Sequence, residues 1–342
     1  MTMMPHHYID RASGKVRTER LYQDAVVLFF YGPVRERMPF LFRMLTSAWT
    51  TQVLGYLNYD SFWGSSACRR FLRENRIDLT ECLDDPARFT TPRQVFERRI
   101  RYWECRPMPL DEDCVVAPAD SRVLVGSLDD NSQLYIKGKL FHYDELLGAS
   151  QPQWLEEFHG GDYAVFRLTP EKYHYNHNPV GGRVVDYYEI DGAFHSCNPG
   201  AAITVAAPYS KNRRVVTVID TDVEGGTGVG LVAMIEVVAL MIGEIVQCYS
   251  EVGYDAPQPV VPGMMLRRGA AKSLFRPGSS TTVLLFQRDR VRFADDLLSN
   301  QRRPAVATRF ALAFQQPLVE TDVTARSAVA RAAAVAAFRQ AS

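Results

Sequence analysis

The chain has 342 residues and a formal charge of zero, with 39 Lys+Arg against 39 Asp+Glu. That balance excludes a general nucleic-acid binder, which needs a net basic face to displace counterions from phosphates. With 46% hydrophobic and 23% charged residues the chain is not disordered overall, and its length supplies core for one large domain or two modest ones.

Residues 1–110 read as a helical region. Met1–Ile9 is polar and unlike a secretory signal, so the six cysteines (Cys68, Cys82, Cys105, Cys114, Cys197, Cys248) are expected to be reduced thiols of a cytosolic protein. None forms a C-x-x-C pair or a Cys/His cluster with zinc spacing, and no metal is expected. Ala25–Leu57 carries Arg35, Arg37 and Arg43 among large apolar residues and is broken by Pro33 and Pro39. It reads either as a helical hairpin lying on a membrane surface, arginines toward the headgroups, or as amphipathic helices covering a core. Thr91 before Pro92 is a helix cap followed by proline at the first helical position. The acidic, proline-bearing run Arg106–Asp113 is the predicted boundary between residues 1–110 and 111–342.

From Cys114 short β-rich runs alternate with Gly, Pro and Asp, which predicts a mainly antiparallel, sandwich- or barrel-like β core. The fold class is therefore α+β. Asp144–Gly148 is one helical turn with a glycine stop. The apolar run Val229–Val246 is about long enough to span a bilayer, but Glu236 and Glu244 interrupt it. A mid-span carboxylate costs about 3 kcal/mol on insertion scales, so the run is expected to form core strands. The Ala-rich end, Thr324–Ser342, reads as a helix or a frayed tail.

Three stretches have the chemistry of a site, each weak alone. Gly278-Ser279-Ser280 is a small polar turn before an apolar strand, Tyr173–Pro179 holds His174 and His177, and Asp120 follows Pro118 in a tight turn. Taken in order with further short motifs, they resemble the phosphatidylserine decarboxylase family. Pro118-Ala119-Asp120-Ser121 stands for its P-x-D-G turn, and Lys137–Phe141 with Leu146–Gly148 for its K-G-x-x-[FY]…LLG segment. Tyr173–Pro179 matches Y-H-x-x-H-x-P, Ser196–Pro199 echoes S-V-N-P, and Asn212–Val216 echoes N-E-R-V-V. Phe275–Thr281, followed by an apolar strand, matches the cleavage motif F-K-[LF]-G-S-T or F-K-F-G-G-S-T. The similarity runs from about Phe96 to Val323. Ser121, Ala270 and Pro277 depart from the family pattern.

The resemblance implies a proenzyme that cuts itself to make a pyruvoyl group, its covalent cofactor, from Ser280. It assigns Asp120, His177 and Ser280 as a processing triad: Asp120 orients His177, and His177 deprotonates Ser280 for attack on the Ser279 carbonyl. The products would be a β chain of 1–279 and an α chain of 280–342. Cleavage between Gly278 and Ser279 is the alternative. The pyruvoyl carbonyl would form a Schiff base with the substrate amine and act as an electron sink when CO2 leaves. His174 resembles the residue that protonates the resulting carbanion. His195 is a candidate substrate contact, with a satisfied surface histidine as the equal alternative. The implied activity is conversion of phosphatidylserine to phosphatidylethanolamine by a cytoplasmic protein peripheral to the membrane. Its partners would be the phospholipid and its own two chains, with a homodimer left open. Decarboxylation of a soluble amino acid and a non-processing lipid-binding relative are the competing expectations.

Overall fold

A computed structural model describes residues 4–60, 64–128, 141–205, 208–240, 243–278 and 280–333. The first strands, β1 (His7–Asp10) and β2 (Lys15–Thr18), form a hairpin turned at Gly14, whose φ of 65° suits a residue without a Cβ. The helical layer follows. α1 (Asp24–Phe29) continues through a π turn at Phe30–Val34 around Pro33. After it come α2 (Pro39–Leu45), α3 (Ala48–Tyr59) and α4 (Gly64–Asn75). α5 (Pro92–Phe96) begins at Thr91, whose side chain accepts from the Gln94 amide while Gln94 caps back, and α6 spans Tyr102–Cys105.

Beyond Arg106 the chain is mostly strand: β3 (Cys114–Val116), β4 (Ser121–Ser127), β5 (Asp162–Leu168), β6 (Tyr175–His177) and β7 (Gly182–Ile190). Next are β8 (Arg214–Asp220), β9 (Leu231–Val237), β10 (Ile245–Ser250), β11 (Met265–Leu266) and β12 (Ala271–Phe275). The last are β13 (Ser280–Phe286), β14 (Val291–Phe293), β15 (Glu320–Val323) and β16 (Ala328–Ala332). Ten strands make one sheet in the order β11-β7-β8-β9-β13-β5-β4-β15-β1-β2, antiparallel except where β1 meets β15. Two three-stranded sheets, β10-β12-β6 and β14-β16-β3, pack against it.

The central strands are covered on both faces. On β13, Leu284 and Phe286 enter one core cluster while Val283 and Leu285 enter another, and β9 splits Val232 and Met234 from Ala233 and Ile235 in the same way. Burial on both faces is why the apolar runs are continuous rather than alternating. The run Val229–Val246 holds β9 and the start of β10, with residues 241–242 between them outside the described residues. Among the described residues no helix is long and apolar enough to cross a membrane.

Two expectations change. Residues 1–110 are not wholly helical, because β1 and β2 extend the main sheet. The alanine-rich end is not helical over Ala328–Ala332: Val329 and Ala330 are buried between β3 and β14, and that pairing overrides alanine's helical preference. Residues 334–342 lie outside the described residues.

Candidate active site

The Pro118–Asp120 turn leads straight into β4, and the His177 amide donates to the Pro118 carbonyl at 2.6 Å. β6 is thereby set against the turn. Asp120 is 4% exposed. Its carboxylate accepts from Arg106 Nε at 2.8 Å, from Arg106 Nη2 at 2.7 Å and from the Ala325 amide at 2.8 Å. Burial alone would raise this carboxyl, but the Arg106 hydrogen bonds and charge outweigh it and hold it below the usual carboxylate range. Arg106 also grips Glu81 at 2.9 and 2.8 Å.

His177 is fully buried. Its Nδ1 lies 2.9 Å from the Gly269 carbonyl, an obligate acceptor, so Nδ1 carries the hydrogen. Nε2 is then the lone-pair nitrogen and accepts from Tyr173 Oη at 3.0 Å. Tyr173 in turn meets Tyr254 Oη at 2.7 Å, and the Tyr102 ring stands edge-on to His177 at 4.5 Å. Burial pushes the imidazole down to about 4. It is a neutral base at physiological pH, one of the states a general base needs.

His174 has the same tautomer by the same reasoning, with Nδ1 2.8 Å from the Lys172 carbonyl. Phe96 stacks on its ring at 3.5 Å, and among the described residues its buried Nε2 has no hydrogen-bond partner. Burial, with the Arg98 charge behind it, holds His174 well below its ordinary value. A buried lone pair with no donor is the feature most in need of a ligand here.

Ser280 opens β13 opposite Leu168 of β5, while Arg122, two residues past Asp120, lies opposite Arg167 on the other side of β5. Asp120 and Ser280 thus lie at the same end of β5, on its two flanks, and the Asp120 charge reaches both His174 and His177. Among the described residues, His177 is hydrogen-bonded to neither Asp120 nor Ser280. Gly278, with φ of 147°, turns the chain so tightly that a Cβ would lie 2.9 Å from the Leu240 carbonyl. Ser279 and Lys137–Leu140 lie outside the described residues.

His195 occupies a different neighbourhood. It stacks on Phe42 at 5.8 Å and meets the Tyr31 ring edge at 6.2 Å, and among the described residues its Nδ1 has no hydrogen-bond partner. Burial lowers it to about 4. The next residues, Ser196–Asn198, line an apolar cavity of about 430 Å³. Its other walls come from α1, α2 and α3, including Val27, Leu41 and Leu54, and it ends at Leu168 and Gly278.

Behind β13 a polar network closes on itself. Lys272 Nζ donates to Glu236 at 2.6 Å and to Gln247 at 3.0 Å. Asn176 bridges Glu236 at 3.3 Å and accepts from Thr282 at 2.9 Å. These bonds fasten β6, β9 and β12 to the strand headed by Ser280. Sequence reasoning places Arg106 in a connector and Phe96 and Arg98 in a helical region, and assigns none of them to the site. The one available signal was their place just upstream of the Asp120 turn.

Comparison with known proteins agrees over the same region. A family model described as phosphatidylserine decarboxylase matches residues 93–311. The phosphatidylserine decarboxylase proenzyme of Chlamydia trachomatis is 30% identical over 295 residues, covering 85% of this chain and 90% of that protein. That of Chlamydia pneumoniae is 29% identical over 301 residues, 88% of this chain and 93% of the relative. That of Clostridium perfringens is 28% identical over 249 residues, 71% of this chain and 78% of the relative.

Proposed function

The chain belongs to the phosphatidylserine decarboxylase family, and from that premise we propose how its own residues process the precursor and meet the lipid. It is a carboxy-lyase made as a proenzyme, acting on phosphatidylserine.

His177, neutral through burial, takes the hydroxyl proton of Ser280, and Ser280 Oγ bonds to the Ser279 carbonyl carbon. The Ser279–Ser280 C–N bond breaks and its nitrogen takes the proton, leaving an ester. Loss of the Ser280 α-proton then expels the Ser279 carboxylate. Water replaces the amine of the resulting dehydroalanine, with release of ammonia. For this His177 exchanges its Tyr173 contact for the serine, and Asp120, ionised by Arg106, stabilises the imidazolium through space. The pyruvoyl group so formed on residue 280 supplies an electron sink for loss of CO2. The site suits such a group: the unpartnered Nε2 of His174 offers a proton position, and Leu168 and Gly278 border both the cavity and the turn. The two chains stay together, because β13 is paired along its length with β5 and β9.

The observation that carries the lipid reading is the cavity. It runs from the helical layer to Gly278 and is lined mainly by apolar side chains, which suits an acyl-bearing substrate and not a free amino acid. Residues 1–110 then serve as the membrane-facing region of a peripheral protein, with Phe96, Arg98 and Arg106 of their last part reaching into the site, and 111–342 as the catalytic core. Intact-mass measurement tests the processing step. Fragments ending at 279 and beginning at 280 are expected, and Ser280→Ala remains a single chain of 38.6 kDa. Normal cleavage of Ser280→Ala would assign the nucleophile to Ser279.

A further inference from the structure

Between the end of β2 and the C-terminal half of α4 lies a polar cleft of about 580 Å³. Arg20, Arg70 and Arg76 stand exposed around it. Among the described residues none of the three forms an ion pair, and Arg20 donates only to the Glu74 backbone carbonyl, at 3.0 Å. The floor is Arg122, 3% exposed and seated over the Tyr8 ring at 3.5 Å; Asp322 pairs with its Nη1, Glu171 and Glu19 lie 3.7 and 3.8 Å from its Nη2 and Nε, and among the described residues that buried Nε has no hydrogen bond.

The carboxylates facing the cleft are Glu19, Glu74 and Glu171. Glu19 is already held by Arg167 at 2.9 and 2.6 Å, and Glu171 accepts from Thr169 at 2.6 Å. Glu19 and Glu171 are engaged, whereas Glu74 stands beside the rim arginines and, among the described residues, forms no ion pair with them. Three rim guanidinium groups outside any ion pair among the described residues, above a buried one whose Nε lacks a hydrogen bond, suit a phosphate, whose oxygens accept several N–H donors at once.

Position narrows the ligand. The cleft shares its wall, Glu19–Gln23, with the apolar cavity. Gly278 and Leu168 line the cavity but not the cleft, so an anion here does not touch the cleavage turn. Next to the wall, Val26 and Phe29 are each 63% exposed. We propose that this cleft binds the phosphate of an anionic, non-reacting membrane phospholipid, whose acyl chains stay in the bilayer against Val26 and Phe29. The site would hold the protein on a negatively charged membrane with the cavity mouth toward the lipid. This rests on the lipid-surface reading above but not on the decarboxylation chemistry.

Vesicle sedimentation of the full chain tests it, with phosphatidylcholine alone or with roughly 20% phosphatidylglycerol. Arg20→Gln/Arg70→Gln/Arg76→Gln is expected to lose roughly a hundredfold in affinity for the anionic vesicles, from about fivefold per arginine, and nothing for phosphatidylcholine. A control of equal charge loss elsewhere, Arg292→Gln/Arg302→Gln/Arg303→Gln, is expected to lose less than about threefold, since none of these arginines lines the cleft and exposed charges are screened by salt. Inorganic phosphate, at ionic strength matched with chloride, should compete with anionic vesicles for the wild type and not for the cleft variant. Wild-type affinity in the cleft variant overturns the site. An equal loss in the control reduces it to net charge, and absence of phosphate competition overturns the ligand class. A urea melt of each variant reports folding separately, and a gel reports self-cleavage. A protein that shows the vesicle pattern but never cleaves would sink the decarboxylase reading and leave the lipid site standing.

Discussion

Glu236 and Lys272 are fully buried beside the central sheet, whereas Phe40 and Trp49 are 82% and 74% exposed on the helical layer. Each region reverses the ordinary placement of polar and apolar groups, but for different reasons. In the sheet the buried charges answer one another: Glu236, Lys272, Gln247, Asn176 and Ser273 close a network that needs nothing from outside. In the helical layer the exposed side chains have no partner within the described chain, and α1 and α2 are too short to be stable without packing. The sheet is a finished scaffold for the cleavage turn, and the layer above it is finished by whatever it lies on.

The sharpest way to break that comparison is to open the network. Glu236→Leu leaves Lys272 buried without its carboxylate and is expected to cost about 3–5 kcal/mol of folding stability. The double variant Glu236→Leu/Lys272→Met removes both charges and should return to within roughly 1 kcal/mol of wild type. Urea melts measure both. A single variant as stable as the double would mean the ion pair is not buried as drawn.

Acid separates the regions next. Burial lowers His177 and His195 to about 4 in the folded chain. The unfolded chain takes up these protons first, near 6.5, so their contribution to stability is complete above that pH and is lost as pH falls toward 4. Each histidine removes up to about 1.4 kcal/mol per pH unit across that window. Asp120 works lower down: its depressed carboxyl contributes stability that is lost only below the ordinary carboxylate range. The helical layer from residue 24 to 59 contains no histidine of its own, and His195, which packs on Phe42 and Tyr31 beneath it, stays neutral in the folded chain down to about pH 4. Urea midpoints are therefore expected to fall steeply from pH 7 to pH 5, while vesicle affinity of the still-folded protein stays level. A flat urea midpoint would show that these rings are not buried neutral.

The same contrast explains what was legible in the sequence. Strands covered on both faces leave long apolar runs bounded by turn residues, so β5, β8, β9 and β13 were readable, and so were α4 and the capped start of α5. The motif order placed Asp120, His174, His177 and Ser280 in one region. What the sequence hid depends on distant partners. The Arg106–Asp120 clamp spans the supposed domain boundary, and an arginine next to a proline in an acidic run looks like solvated linker. Tyr173 as the partner of His177 Nε2 depends on how β6 sits against Gly269. The segment around Val329 looks helical because alanine is helical by default, and only its place between β3 and β14 makes it a strand. The β1–β2 hairpin was hidden by a helical reading of everything around it.

The smallest effect on folding, and the most telling for the helical layer, belongs to Phe40 and Trp49. Because both are mostly solvated, Phe40→Ala and Trp49→Ala remove few contacts and should each change stability by less than about 0.5 kcal/mol. Phe286→Ala in the sheet, by contrast, should cost about 3–5 kcal/mol, because its ring is fully buried between strands. On a membrane the order inverts. Burying a phenylalanine or tryptophan ring is worth about 1.5–3 kcal/mol, so each layer variant should weaken vesicle binding roughly 10- to 100-fold. Folded Phe286→Ala protein should bind as the wild type does. Paired urea melts and vesicle sedimentation read both quantities on the same samples. If Phe40→Ala cost more than about 1 kcal/mol in folding and nothing in vesicle binding, the layer would be packing on the chain itself, and the contrast with the sheet would fall.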